Sequence, residues 1–351
     1  MQYTRQQLLS SIALGFLGIL SVPQCNAAGP YSFLKEISVA GDGGGDYLTT
    51  DEAARRVYVT HSSKIVVIDL EKNDVVGEIT DTLGVHGFAI APELRRGFSS
   101  NGKENKVSIV DLKTLQTLFK VETGANPDGI LYEPEHQEVY AFNGRGNSAT
   151  VFAAKTGKVV ATIPLPGKPE FAVVDAKVGR IYNNIEDKNE VVVIDTKSHE
   201  VVARWPIAPG EAASGMALDQ EHHRLFLGCD NEMMVMMDST NGKVISNVPI
   251  GAGVDANRFD PETQFAFASC GDAGTVTIAR EAAPDKLILV QTLTTAPGAK
   301  TMTLDPKTHR IYLACAKTEE ASAADSGAGK KKGKAKIIPG SFRVLVYEMR
   351  K

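Results

Sequence analysis

"RRVYVTHSSKIVVIDLEKNDVVGEI", residues 55–79, contains three short apolar runs separated by turn residues. Val, Ile and Tyr dominate the runs with a two-residue alternation, and Ser, Lys, Asn and Asp punctuate them, so the stretch predicts three antiparallel strands. A closely similar phrase, "RIYNNIEDKNEVVVIDTKSHEVVARW", returns at residues 180–205. Aligning the chain on the aromatic that opens the phrase gives Tyr58, Phe98, Tyr140, Tyr182, Phe226, Phe267 and Tyr312, at spacings of 40, 42, 42, 44, 41 and 45. A period of about 42 residues built of strands is the signature of propeller blades with four strands each. Helix-pair repeats have similar lengths, but the alternation in "KIVVIDL" and "VSIVDL" excludes them.

Each unit reads the same way. An inner strand comes first ("HGFAIAPE", "DGILYEPE", "EFAVVDAK", "KTMTLDPK"), then the strand with the aromatic. A third strand often ends in Asp (Asp69, Asp111, Asp195, Asp238), whose carboxylate suits an Asx turn. A fourth, apolar strand ends near Gly84, Gly124, Gly167, Gly210, Gly253 or Gly298. The seventh unit runs out at "FRVLVYEMRK", and "YSFLKEISVAG", residues 31–41, has the form of its missing strand. The expected fold is therefore all-β: a seven-bladed β-propeller of four-stranded antiparallel blades, the last blade completed by an N-terminal strand so that no open edge interrupts the ring.

The ends of the third strands are spaced 42, 42, 42, 43 and 41 from Asp69 to Ala279, then 68 to Tyr347. The excess falls in blade seven, at about 317–339, in "KTEEASAADSGAGKKKGKAKIIPG". Its small, polar, Gly-rich composition predicts a flexible loop. The run "KKKGKAK" offers contacts to an anionic partner or a cover over the ring. A solvated loop is the simpler reading, because a basic run without interleaved aromatics is a poor nucleic-acid signature.

Residues 1–28, "MQYTRQQLLSSIALGFLGILSVPQCNAA", carry Arg5, an apolar centre from Leu8 to Val22 and small residues near Ala27 and Ala28. That is the build of a secretory signal peptide, and it predicts a periplasmic or secreted protein with one domain over residues 29–351. Cys25 raises lipid attachment, but Gln24 is large where that signal wants a small residue. After cleavage no run is long enough for a membrane span. Three cysteines then remain, Cys229, Cys270 and Cys315, so no disulfide framework holds the fold. The net charge of −4 gives no broad basic surface for specific nucleic-acid binding.

The phrases "YVTH", "NKVSIVDLKT" and "EVVVIDTKSHEVV" resemble the YVTN-repeat (YncE-like) β-propellers over essentially all of residues 31–351. The resemblance implies seven blades and export, and it is weak for activity. Longer stretches such as "GVHGFAIAPE" and "NPDGILYEP" look like a secreted subgroup of unassigned role.

In a propeller the starts of the inner strands gather around one mouth of the central channel. The repeat places Gly45, His86, Asp128, Glu170, Ser214, Asp255 and Lys300 there, one from each blade. Converging carboxylates repel unless a cation or proton intervenes. Asp128, Glu170 and Asp255 would suit a hard divalent cation, and His86 would add a transition-metal ligand. Lys300 would act as counter-charge or anion contact. A polar, water-holding mouth is the plain alternative. One step outward lie His61, Asn101, Asn143, Ile185, Cys229, Cys270 and Cys315. The separation of neighbouring blades argues that the thiols fill space rather than share a metal.

No G-x-S-x-G, H-E-x-x-H, EF-hand or P-loop signature is present. "GDGGGDY", residues 41–47, leads into a strand, and "EHHRL", with His222 and His223, falls in a turn. The sequence favours a monomeric binding or interaction protein that uses the polar channel face for a small polar ligand or a partner protein, without a resident cofactor beyond, at most, a divalent cation. A lactonase-type hydrolase with a divalent metal, or with a carboxylate or His86 as general base, at the channel rim is the first alternative, since seven-bladed relatives include sugar-lactone hydrolases. A cell-envelope interaction protein with an idle channel is the second.

Overall fold

The structure, a computed structural model, describes residues 29–319 and 336–350. The expected leader at 1–28, with Cys25, and most of the lysine-rich run lie outside the described residues.

Seven four-stranded antiparallel sheets form the blades. Their inner strands are β2 (Gly45–Asp51), β6 (Val85–Ala91), β10 (Pro127–Glu133), β14 (Pro169–Asp175), β18 (Ala213–Asp219), β22 (Val254–Asp260) and β26 (Thr301–Asp305). Each contacts the next in order, and β26 contacts β2, closing the ring. The last blade has the order β1-β28-β27-β26, with β1 (Tyr31–Ser38) paired to β28 (Arg343–Met349) and β27 (Arg310–Cys315) beside it. The N-terminal strand thus completes blade seven, as the sequence implies.

Burial follows the alternation. Second and third strands, such as β3 (Arg56–His61) and β4 (Lys64–Asp69), are buried almost throughout, because a blade packs on both faces. The described apolar residues form seven clusters, each bridging two adjacent blades, and the one between blades six and seven also takes in Tyr47 of blade one. A single blade has no core of its own, so the repeat is stable only as a ring. The Asx turns form as expected: Asp69 Oδ1 accepts from the amides of Glu71 and Lys72, both at 2.9 Å, and Asp111 and Asp195 do the same.

The insertion leaves blade seven between its second and third strands, on the face that also carries the starts of the inner strands. Its described ends pair, with Thr318 bridged to Ile337 and the Glu319 amide donating to the Lys336 carbonyl at 2.8 Å.

Candidate functional site at the channel mouth

Six of the inner strands carry a register shift just after their first residue, for example between Gly45 and Leu48 and between Val254 and Ala256. Such a bulge frees a residue from the ladder and re-aims its side chain. Asp46, His86, Asp128, Glu170, Ser214 and Asp255 occupy these bulges, and Lys300 immediately precedes β26. In blade one the residue at this position is Asp46 and not Gly45. The repeat alignment slips there because Asp51 ends the strand as a buried acid, like Glu133 and Asp175, and the turn begins only at Glu52.

Second-strand side chains hold the bulges. Thr60 Oγ1 accepts from the Asp46 amide at 3.0 Å, and Ser100 Oγ accepts from the Gly87 amide at 2.9 Å. Ser100 also donates to the Asp128 carbonyl of the next blade at 2.5 Å, Asn184 to the Ser214 carbonyl at 3.0 Å, and Ser269 to the Lys300 carbonyl at 2.5 Å. Sequence reasoning missed these supports. Their signal was a buried polar residue one short of the strand end, in "VYVTH", "GFSSN", "IYNNI" and "FASC".

The rim side chains form a chain of contacts through six blades. His86 Nδ1 lies 2.8 Å from Asp46 Oδ2 and 3.7 Å from Asp128 Oδ1. Asp46 Oδ1 is 3.6 Å from Lys300 Nζ, Lys300 pairs closely with Asp255, and Ser214 Oγ donates to Asp255 Oδ1 at 3.0 Å. Glu170, in blade four, stands apart and meets Lys168 at 2.5 Å, which also pairs with Glu186. Ligand atoms of Asp46, His86 and Asp128 lie within 4.8 Å of one another, a set that holds two of the four candidates read from the sequence together with Asp46.

Burial pushes the Asp128 carboxyl up to about 6, with Asp46 and Asp255 adding to the effect against the pull of His86 and Lys300. Burial likewise lifts Glu170 to about 8 against Lys168, and lifts Asp255 against Lys300. At His86 burial disfavours the charged ring, but the Asp46 hydrogen bond and the fields of Asp128 and Asp46 outweigh it, and the pKa rises. The mouth thus holds more carboxylate than its own cations satisfy. Such a site can take an ammonium group or a divalent cation.

Below the rim, Tyr47, Phe171 and Arg258 meet from blades one, four and six. The Tyr47 and Phe171 rings lie 5.2 Å apart, and Arg258 Cζ sits 5.0 Å from the Phe171 ring centre. The Tyr47 phenol is held well above its usual range by burial and by Asp255, Asp128, Asp46 and Glu170, so it sits in the field of the acidic rim. These three residues narrow the channel at mid-depth, around a small void that Gly87 and Gly129, next to the rim residues, also line. On the far side a cavity of about 560 Å³ widens to the opposite face.

The second ring is structural. Cys229, Cys270 and Cys315 are free and buried, each in a different interblade cluster. Burial pushes the Cys229 thiol up to about 12 and Cys270 to about 11, away from the thiolate a metal needs. His61 stacks on Phe342, with centroids 4.2 Å apart. On the opposite face Asp219, His222 and Glu281 also approach one another, but Arg224 is already paired with Glu281.

No protein-family model matches the chain, and no curated protein does. Solved structures resemble it in fold. Kuenenia stuttgartiensis hydrazine synthase superposes with a TM-score of 0.67 at 15% identity, over 78% of this chain and 92% of that one. The β-propeller domain of Myceliophteria thermophila Cps50 (Swd1) does so with a TM-score of 0.70 at 12% identity, over 92% of this chain and 100% of that one. At these identities the likeness is one of fold alone.

Proposed function

We propose that this protein is a binding module whose acidic channel mouth takes a small polar ligand bearing positive charge, an ammonium group or a divalent cation. One observation carries the reading: Asp46, His86 and Asp128, from three consecutive blades, converge within 4.8 Å in a place where burial disfavours their combined charge. A cation bound there relieves the repulsion and completes the chain that Lys300 and Asp255 continue. We further propose that the chain is an exported member of the YVTN-repeat propellers, a reading supported by the repeat phrases and by the leader-like first 28 residues. Calorimetric titration with Mn²⁺, Zn²⁺, Ca²⁺ and putrescine tests the site, comparing wild type with an Asp46→Asn/Asp128→Asn variant. Saturable binding lost in the variant supports it; heat from none of the four probes rejects it. The hydrolase alternative requires lactone hydrolysis that depends on a divalent ion bound here or on a rim carboxylate or His86 as general base.

A second reading, as an interaction protein, has its own observation. Exposed apolar pairs recur on the outer strands of the first three blades: Val75 and Val76, Leu118 and Phe119, Val159 and Val160. Exposed apolar side chains on neighbouring outer strands offer contacts to a partner surface. Sedimentation that shows self-association, abolished by Val76→Lys/Phe119→Lys/Val160→Lys, would favour it.

A further inference from the structure

Arg258 breaks the repeat. The corresponding inner-strand positions in the other blades hold Thr49, Ala89, Leu131, Val173, Ala217 and Thr303, all small or uncharged. Here a guanidinium is carried to the middle of the channel. Its neighbours are the Phe171 ring, the Asn257 carbonyl at 2.7 Å and the Leu48 carbonyl at 3.3 Å. Two carbonyls leave most of the five guanidinium N–H donors unmatched. No carboxylate of the described residues pairs with it, and burial lowers its pKa to about 10 with only the Tyr47 hydroxyl opposing. A half-buried charge without a counter-ion is costly, and an apolar side chain of similar volume would serve a plug better.

Arg258 and Phe171 line the 560 Å³ cavity on the far side, whereas Tyr47 does not. The volume is in the range of small-molecule pockets. Arg258 is the only cation among its lining residues, the walls include Ile90, Val174, Leu218 and Phe259, and the acidic Glu52 is exposed where the cavity meets solvent. A planar carboxylate matches the guanidinium fork with two parallel hydrogen bonds and carries the single negative charge that one arginine balances. A phosphate dianion would leave one charge unmatched between apolar walls. We propose that this lower chamber is a second ligand site, separate from the acidic mouth, and that it takes a small organic carboxylate with an apolar body, clamped by Arg258 against Phe171.

The test uses benzoate and inorganic phosphate as probes on the full chain, at constant ionic strength, followed by saturation-transfer NMR and calorimetry. The expected result is saturable benzoate binding that weakens at least ~10-fold in Arg258→Met, and by less in Arg258→Lys. The rim variant Asp46→Asn binds benzoate as wild type does. Leu218→Trp, which fills the chamber without replacing the guanidinium, also abolishes binding and keeps the test open should Arg258→Met fold poorly. Absence of saturable benzoate binding overturns the proposal. So does undiminished binding in either Arg258→Met or Leu218→Trp, or tighter binding of phosphate than of benzoate.

Discussion

Tyr47 and Phe171, from the first and fourth blades, meet across the channel with ring centroids 5.2 Å apart and narrow it between two unlike chambers. Above them lie the carboxylates, below them an unpaired guanidinium. Charges of opposite sign would neutralise one another in an open channel, so the aromatic floor is what keeps both chambers chemically distinct. Phe171→Ala should remove both the ring that Tyr47 packs on and the face under Arg258. Because Phe171 is only partly buried, the expected loss is about 2–3 kcal/mol, below that of a fully buried Phe. Urea melts measure it. A loss within experimental error would mean that the floor is closed by something other than this contact.

The acidic mouth has a pH signature whose sign is fixed by Asp128. Its folded-state pKa, about 6, lies above the ordinary aspartate value of 3.8, so the folded state holds the proton longer than the unfolded chain. Below about pH 4 both states are protonated and the group is neutral for stability. As pH rises through about 6 stability falls, and the loss persists at higher pH. Asp128→Asn has no such charge to form. It should therefore match wild type near about pH 4 and exceed it by about 1–3 kcal/mol near about pH 7.5. Denaturant melts at the two pH values check this, and equal stabilities at both would show that burial at the rim does not disfavour the Asp128 charge. A bound divalent cation should narrow the gap at the higher pH by stabilising wild type alone.

How far the sequence could lead depended on what repeats. The blades were legible because every copy of the phrase at 55–79 faces the same demand, burial on both faces of a sheet, and so keeps the same alternation. The closing strand at 31–38 was legible because the seventh unit lacked a partner. The mouth was legible in part: His86, Asp128, Asp255 and Lys300 follow from the repeat frame. Asp46 was missed by one residue, because register across a bulge is set by backbone geometry, which alternation does not encode. The contact between Tyr47, Phe171 and Arg258 was not legible at all. It joins residues of blades one, four and six across the axis, and a repeat period describes neighbours around the ring, not opposites across it.

Ring closure rests on a second cross-blade contact. Arg55, in blade one, donates from Nη1 and Nη2 to both carboxylate oxygens of Asp305 in blade seven, each at 2.7 Å, and the Asp305 side chain is wholly buried. Removing one partner leaves a buried charge, so Arg55→Ala should cost about 3–5 kcal/mol. Replacing both with apolar groups, Arg55→Met/Asp305→Leu, should cost much less than the single change. Urea melts of the two variants separate a true pair from mere packing. Equal losses in both would assign the effect to the side-chain volume and not to the charges.

His86 can be moved without being mutated. A Cβ built on Gly102 would lie 2.7 Å from His86 Nε2 and 2.8 Å from Asn126 Oδ1, closer than such contacts allow. The backbone at Gly102 is not left-handed, so Gly102→Ala adds no backbone strain, and the ring of His86 is the part free to yield. Displacing that ring pulls Nδ1 from Asp46, the shortest contact in the group that also contains Asp128. The expected outcome is a fold changed by less than about 1 kcal/mol together with Mn²⁺ or Zn²⁺ binding weakened by about tenfold. Benzoate binding below the aromatic floor should not change, because Tyr47 and Phe171 stand between the two chambers. If Gly102→Ala left metal binding intact, His86 would not be a ligand, and the ion would be held by the carboxylates of Asp46 and Asp128 alone.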